Sequence, residues 1–318
     1  MNYKLYKLSF STPVHFGKGR LGSCENRFLS DRLFSAICIE AEKMFGTEGI
    51  NSLYQEAKKG NLIISDSMPY IDDTLYIPKP IMAIEQNKDE TENSSVVKKA
   101  FKKLMYIPFE KIDDYIKGTF DADAENKKLS ELGYFSEKTS ASIHENDDAL
   151  PYNVGIYTFN KEKKSKYGLY FIIGYNDDET FYRFNDIMYS LGYTGIGGKT
   201  SSGLGKFEAV IGDVPENFID MLATSDADRY ITLSTCMAKN EELETVIPGA
   251  EFSLIKRSGF ISSVSYSDTF RKKKELYCFS SGSSFKNKFE GDVFDLSDGG
   301  THPVYRYAKP FFMGVNIK

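Results

Sequence analysis

The stretch GYTGIGGKTSSGLGKFE, Gly192 to Glu208, gathers six glycines, the lysines Lys199 and Lys206, and the hydroxyls of Thr200, Ser201 and Ser202. Bare backbone beside cations and hydroxyls is the chemistry of phosphate binding, because N–H groups can approach an oxyanion that no side chain holds off. YTGIGGKT lies one residue from the nucleotide-binding pattern GxxxxGK[ST], with Tyr193 where the first glycine belongs. That pattern needs a strand leading into the loop and a helix leaving it, so that phosphates meet a helix N-terminus. Here a helical pattern precedes the loop and a strand pattern follows, so Lys199 and Thr200 open onto a strand. A dinucleotide GxGxxG also fails, since Gly195-Ile196-Gly197 runs on as Gly198, Lys199 and Thr200. The backbone of Gly195, Gly197, Gly198, Gly203 and Gly205, with Lys199 and Lys206, is expected to position a phosphodiester strand rather than read its bases. The alternative is a flexible turn, for which two or three glycines would suffice.

Other chemistry finds little support. Cys24, Cys38, Cys236 and Cys278 make no CxxC pair, and with His15, His144 and His302 they show no zinc-ligand spacing. Asp72–Asp73 and Asp113–Asp114 sit in turn-like contexts without the further ligands of a magnesium site. We expect no metal and no cofactor. The chain has 318 residues and a formal net charge of −5, which excludes a uniformly basic nucleic-acid binder. An acidic protein that binds RNA must focus its positive charge in one groove. The runs Lys98–Lys103 and Arg271–Lys274 read as solvated faces. No run approaches the roughly 20 apolar residues that span a bilayer, and MNYKLYKLSF is not a signal peptide, so a cytoplasmic protein is expected.

The elements that must hold the loop follow from periodicity. YKLYKLSFSTPVHFG alternates as a strand, and Ser30 is placed to N-cap a helix whose Leu33, Ile37, Ala41 and Met44 share a face, with Gly46 as its stop. NLIISDSMPYIDDTLYIPKP gives two extended pieces around a turn at Asp72–Asp73. Residues 85–149 turn polar and irregular and read as an insertion, with a short helix at VVKKAFKKLMYI. VGIYTF and KYGLYFIIGY are strands, ETFYRFNDIMYSL a helix, and KFEAVIG a closing strand. This is the βαββαβ order of a ferredoxin-like (RRM-like) domain. The expected fold is α+β, with two such domains: 1–212, carrying the insertion, and a strand-rich 213–318.

HFGKGRLG after the first strand, SDRLFSAI at the first helix, the central glycine loop, KRSGFISS and HPVYRYAKPF together resemble the RAMP superfamily of CRISPR proteins. The closest resemblance is to subunit four of type III-A (Csm) interference complexes, and it runs from the first strand to the last. It implies a non-catalytic, antiviral-defence role: holding the 5′ repeat-derived handle of the CRISPR RNA while contacting the large polymerase-like subunit and the backbone RAMP subunits. It carries RNA binding onto His15, Gly17, Lys18, Gly19, Arg20, Ser30 and Arg32. From the central loop it adds Gly195, Gly197, Gly198, Lys199, Thr200, Ser201, Ser202, Gly203, Gly205 and Lys206, and from the second half Arg257, Ser258, Gly259 and Phe260, whose ring would stack on a base. Arg32 is open to phosphate or to pairing with Glu25 or Asp31. Ala308 stands where the YRYGKPF pattern has glycine, which removes bare backbone there. Some relatives are metal-independent endoribonucleases, and His15 with Lys18 and Tyr193 supplies the side-chain types for that alternative. The GGDD-type signature of the cyclase subunit is absent.

Overall fold

The computed structural model describes residues 1–83, 94–142, 150–161, 165–261, 263, 265–269 and 271–317. His144, the acidic cluster 145–148, most of the EQNKDETENSS loop, and Glu162, Lys163 and Lys164 lie outside them. Strand β1 (Asn2–Phe10) leads through a hairpin, β2 (Phe16–Lys18) and β3 (Arg20–Glu25), into α1 (Ser30–Lys59). Then come β4 (Leu62–Ile64), β5 (Met68–Ile71), β6 (Thr74–Pro78), α2 (Ser94–Lys103) and β7 (Tyr106–Pro108). Helices α3 (Ile112–Ile116) and α4 (Ala122–Ser130) precede a long ribbon, β8 (Gly133–Ser142) and β9 (Leu150–Phe159). Strand β10 (Tyr167–Tyr175), α5 (Asp178–Thr194) and β11 (Phe207–Gly212) complete the first half.

The main sheet runs β11-β1-β10-β5-β6-β7, antiparallel, with β4 also on β10. Its inner order, last strand–first–third–second, is that of the ferredoxin-like βαββαβ unit. Every residue of β10, YGLYFIIGY, is buried, as a central strand covered on both faces requires. Tyr6, Leu8 and Phe10 of β1, with Leu169, Phe171 and Ile173 of β10, meet Leu33, Phe34, Ile37 and Ala41 of α1 and Phe184, Ile187, Met188 and Leu191 of α5. Each buried Leu, Ile, Phe or Met side chain there contributes roughly 1.5–3 kcal/mol by leaving water.

Two expectations about α1 need correction. Gly46 (φ 68°, ψ −162°) kinks the helix rather than ending it. Beyond the kink Leu53 and Ala57 return to the core, and the helix stops at Gly60, left-handed at φ 79°. Ser30 does not cap its own helix; its N–H donates to Asp66 Oδ1 (2.7 Å), a carboxylate brought from the break between β4 and β5. A carboxylate satisfies the orphan amides and the positive end of the helix more strongly than a hydroxyl does.

The second face of the sheet is also covered. Tyr70, Tyr76, Tyr170 and Ile172 pack with Ile107, Phe109, Tyr115, Phe218, Ile231 and Met313 into a second buried cluster. In an RRM that face stacks bases on exposed aromatics; here the aromatics are inside. Within the expected insertion, the described residues 94–142 carry more regular structure than their polarity suggested. Ile107, Phe109, Ile112, Tyr115 and Phe120 are buried there, but they are scattered singly among charges and leave no long periodic run.

The second half begins with α6 (Glu216–Ala223), β12 (Arg229–Thr232) and α7 (Leu243–Val246). It continues through β13 (Leu254–Arg257), β14 (Leu276–Phe279), β15 (Ser284–Phe285), β16 (Asp292–Asp295), β17 (Tyr305–Ala308) and β18 (Phe312–Val315). It is strand-rich as expected but smaller than the first sheet: β15-β12-β18 forms three strands, and β13-β14 and β16-β17 stand apart as hairpins. These strands are two to four residues long, broken by turns at Gly249, Gly282 and Gly291. Hairpin β16-β17 lies on α1, with Tyr307 against Phe34 (5.3 Å) and Tyr305 stacked on Tyr54 (4.0 Å).

Candidate nucleic-acid interface

The first glycine segment is hairpin β2–β3, with Gly19 at its tip. Lys18, Gly19, Arg20 and Gly22 are exposed, and Lys18 Nζ lies 3.5 Å from Glu25 Oε1. Behind the tip the chain turns inward at His15, which is 7% exposed. Its Nδ1 is 2.6 Å from the Gly155 carbonyl, which can only accept, so Nδ1 carries the proton. The central loop closes over this imidazole. Gly198 donates to the His15 carbonyl (2.9 Å), and a Cβ at 198 would stand 2.7 Å from the ring. Gly205, at φ 78°, places its Cα 's missing substituent 2.2 Å from the Ile196 carbonyl oxygen, and its N–H donates to Pro13 (2.9 Å). No side chain fits at either position.

Much of the loop's bare backbone therefore serves packing against itself and β1. The amides of Gly195, Ile196, Gly198, Ser202, Gly203, Leu204 and Gly205 all donate to carbonyls of the chain. Those of Gly197, Thr200 and Ser201 donate to no acceptor among the described residues. Ser201, Ser202 and Lys206 are exposed, and Lys199, itself left-handed at φ 62°, rests its ammonium 5.0 Å above the Tyr152 ring. The loop offers an edge of a few amides, hydroxyls and cations. With β11 following it and α5 before it, a nucleotide P-loop is ruled out by order.

At the start of α1 the charges concentrate. Arg32 Nη2 donates to the Gly17 carbonyl (3.0 Å), tying the helix to the first glycine segment, so its direct partner is neither Glu25 nor Asp31. Asp31, buried, is held by Arg257 through Nε (3.0 Å) and Nη2 (2.9 Å) and by Nη1 of Arg306. Burial raises the Asp31 carboxyl, but the Arg257 and Arg306 charges together outweigh it and hold it at about 2. Arg257, expected on RNA, thus spends its guanidinium on Asp31, 226 residues away. Lys273 stands near the same cluster, its ammonium pushed below the usual lysine range by burial and by Arg306. Burial and the Arg257 charge likewise lower Arg32. Four cations surround one carboxylate. Four buried side-chain polar atoms lack a hydrogen-bond partner among the described residues, and two of them, Arg32 Nη1 and Arg306 Nε, belong here.

Beyond Arg257, Ser258 and Phe260 are exposed and Gly259 has φ 149°. Phe260 bridges Lys272, whose ammonium lies 5.6 Å from the ring centre, so an aromatic face and a cation stand together in solvent. The run Arg271–Lys274 is therefore more than a solvated face: Lys272 lies over Phe260 and Lys273 turns inward. Ser30 is fully buried, its Oγ 3.4 Å from the Thr235 carbonyl, and offers nothing to a ligand from this position. Ala308 is buried too, its carbonyl accepting from Met237 (2.9 Å). Sequence reasoning missed Asp66, which also accepts from the Thr235 amide (2.9 Å) and hydroxyl (2.8 Å), and it missed Arg306. Each looked like part of a strand, and only pairing across the chain gives it a task. For the ribonuclease alternative, no hydrogen bond joins any two of His15, Lys18 and Tyr193, and the Tyr193 hydroxyl meets that of Tyr189 (3.0 Å).

Contacts thus run without a break from the central loop to His15 and Gly17, on to Arg32 and Asp31, and out to Arg257 and Phe260. Residues 225–315 match the family model described as CRISPR Csm4 C-terminal domain. The "CRISPR system Cms protein Csm4" of Streptococcus thermophilus is 32% identical, with all of both chains covered. That of Mycobacterium tuberculosis strain H37Rv is 31% identical over 99% of this chain and 98% of the relative. The chain belongs to the Csm4 family. Among solved structures, that of a Csm3-Csm4 subcomplex in the type III-A CRISPR-Cas interference complex aligns with a TM-score of 0.67 at 20% identity, over 98% of this chain and 99% of the other. A Csm1-Csm4 cassette in complex with cA4 aligns at 0.58 and 18%, over 99% and 98%. Both share the fold described above.

Proposed function

We propose that this chain holds the 5′ repeat-derived handle of a CRISPR RNA across the patch from the central glycine loop to Phe260. It does so as a non-catalytic, cytoplasmic subunit of a Csm-type effector, bridging the large polymerase-like subunit and the backbone subunits. The observation that carries this reading is the cluster at the start of α1. Four buried or half-buried cations face one carboxylate, and two of their N–H groups lack acceptors. Buried charge without compensation is costly, and a phosphodiester brings both the missing charge and the missing acceptors. The covered sheet face supports the same placement, since it leaves the loops rather than an aromatic platform for RNA. The partner assignment is supported by family members solved with Csm3 and with Csm1. We place the junction of the two ferredoxin-like units at Gly212.

The test is binding of repeat-derived handle RNA by fluorescence anisotropy in EDTA. Arg32→Gln should weaken it roughly tenfold or more, the worth of one charge-assisted contact, while the thermal midpoint stays near wild type. The RNA should emerge uncut. Unchanged affinity sinks the site, and specific cleavage lost in His15→Ala would establish the ribonuclease alternative instead.

A further inference from the structure

Beside the cation cluster, and sharing Lys273 with it, a cavity of about 270 Å³ opens between the outer face of α1 and residues that include Ile261, Ser263, Ser265, His302 and Tyr305. Ile39, Ile261 and Tyr305 form its apolar walls, and Glu42, Asn51 and Lys273 bring polar groups into it. Tyr305 is braced from behind by its stack on Tyr54, and His302 is fixed by Ser263, 2.8 Å from Nε2. Cys38 also lines it, its thiol pushed up to about 12 by burial, so it stays neutral and acts as a small apolar surface. Among the described residues Lys273 makes no ion pair, with Asp31 acting on it only from further off, and Glu42 makes none, so both are free to meet a polar group in the cavity.

The strand register connects this space to the patch. Phe260 faces Lys272, while Ile261 donates its amide to the Arg271 carbonyl (3.0 Å) and Lys273 donates to Gly259 (2.8 Å). Alternation across this pairing sends Phe260 and Lys272 to solvent and Ile261 and Lys273 into the cavity. One short hairpin thus presents an aromatic–cation surface on one side and an apolar pocket with a cation on the other. Phe260 and Ile261 are consecutive residues, so the two surfaces adjoin along the chain.

We infer that the cavity receives one splayed-out base of the bound RNA, next to the nucleotide that stacks on Phe260. The base lies between Ile39 and Tyr305, its N–H edge donates to Glu42, and Lys273 meets its phosphate. This deepens the RNA-binding reading and rests on it. The volume suits one base with part of its ribose, and a carboxylate is the group that accepts from exocyclic and ring N–H donors.

The test uses handle RNAs that each carry one abasic position, titrated against wild type, Ile39→Trp and Glu42→Gln. Ile39 is 40% exposed, so a tryptophan there fills the cavity without entering the core. In wild type, two neighbouring abasic positions should each weaken binding by about fivefold to a hundredfold, the range of one stacked base. In Ile39→Trp the penalty at one of them should vanish, while the intact RNA binds at that weakened level. In Glu42→Gln the base preference at that position alone should relax. An unchanged abasic profile in both variants overturns the cavity while leaving RNA binding intact. Wild type that binds no RNA overturns both.

Discussion

At the residue scale, the decisive group is Asp31. Its ordinary carboxyl value of 3.8 falls to about 2 in the fold. A carboxyl whose folded value is depressed gives stability that is whole above its unfolded value and is lost as pH falls through the folded one. The size is about 2 kcal/mol, lost between about pH 4 and pH 2. Urea melts across that range should show this loss in wild type and lack it in Asp31→Asn. At neutral pH Asp31→Asn should itself cost about 3–5 kcal/mol, because it strands Arg257 and Arg306 without their counter-charge. An Asp31→Asn protein as stable as wild type at pH 7 would mean that the arginines find another counter-charge or solvent. This residue also marks a limit of reading from sequence. Arg257 looked like an RNA contact because its partner is 226 positions away. Phe260 and Lys18 do face solvent, as the RNA contact expected of them requires.

At the scale of elements, the glycine loop divides into two kinds of glycine. Gly203 is left-handed at φ 82° with nothing within 4 Å of an added Cβ, whereas Gly205 is left-handed and would drive a Cβ to 2.2 Å from backbone oxygen. Gly203→Ala should therefore cost roughly 1–2 kcal/mol, the left-handed penalty alone. Gly205→Ala should cost about 3 kcal/mol or more, clash added to conformation. Equal thermal midpoints for the two variants would show that the loop is slack and its glycines interchangeable. Composition announced a glycine loop but not which glycines the packing consumes, since that depends on His15 and Pro13 from the far end of the domain. The βαββαβ order was legible because β1, β10 and α5 carry strong periodicity. Gly46 misled because a single glycine cannot say whether a helix ends or bends, and the return of Leu53 and Ala57 to the core settles it. The insertion misled because its apolar residues are spread one at a time among charges.

At the scale of the whole molecule, a net charge of −5 coexists with a basic, half-buried cluster. The sheet that would serve an RRM as its RNA platform is closed by α3, α6 and strands of the second half. On the function proposed above, RNA would fall to the loops, with phosphate contacts dominant and base reading left to a few points such as Phe260. That arrangement suits holding one constant RNA end rather than surveying many sequences. The proposed binding requires Arg20, Lys199 and Lys206 of the two glycine segments to neutralise RNA phosphates. The most direct measurement is the salt dependence of handle-RNA affinity for wild type and for Arg20→Gln/Lys199→Gln/Lys206→Gln. Each lost phosphate contact on a single strand removes about 0.7 from the slope of log K against log salt, so the triple variant should bind more weakly and its slope should flatten by about 2. Identical affinity and slope for the two proteins would contradict the claim.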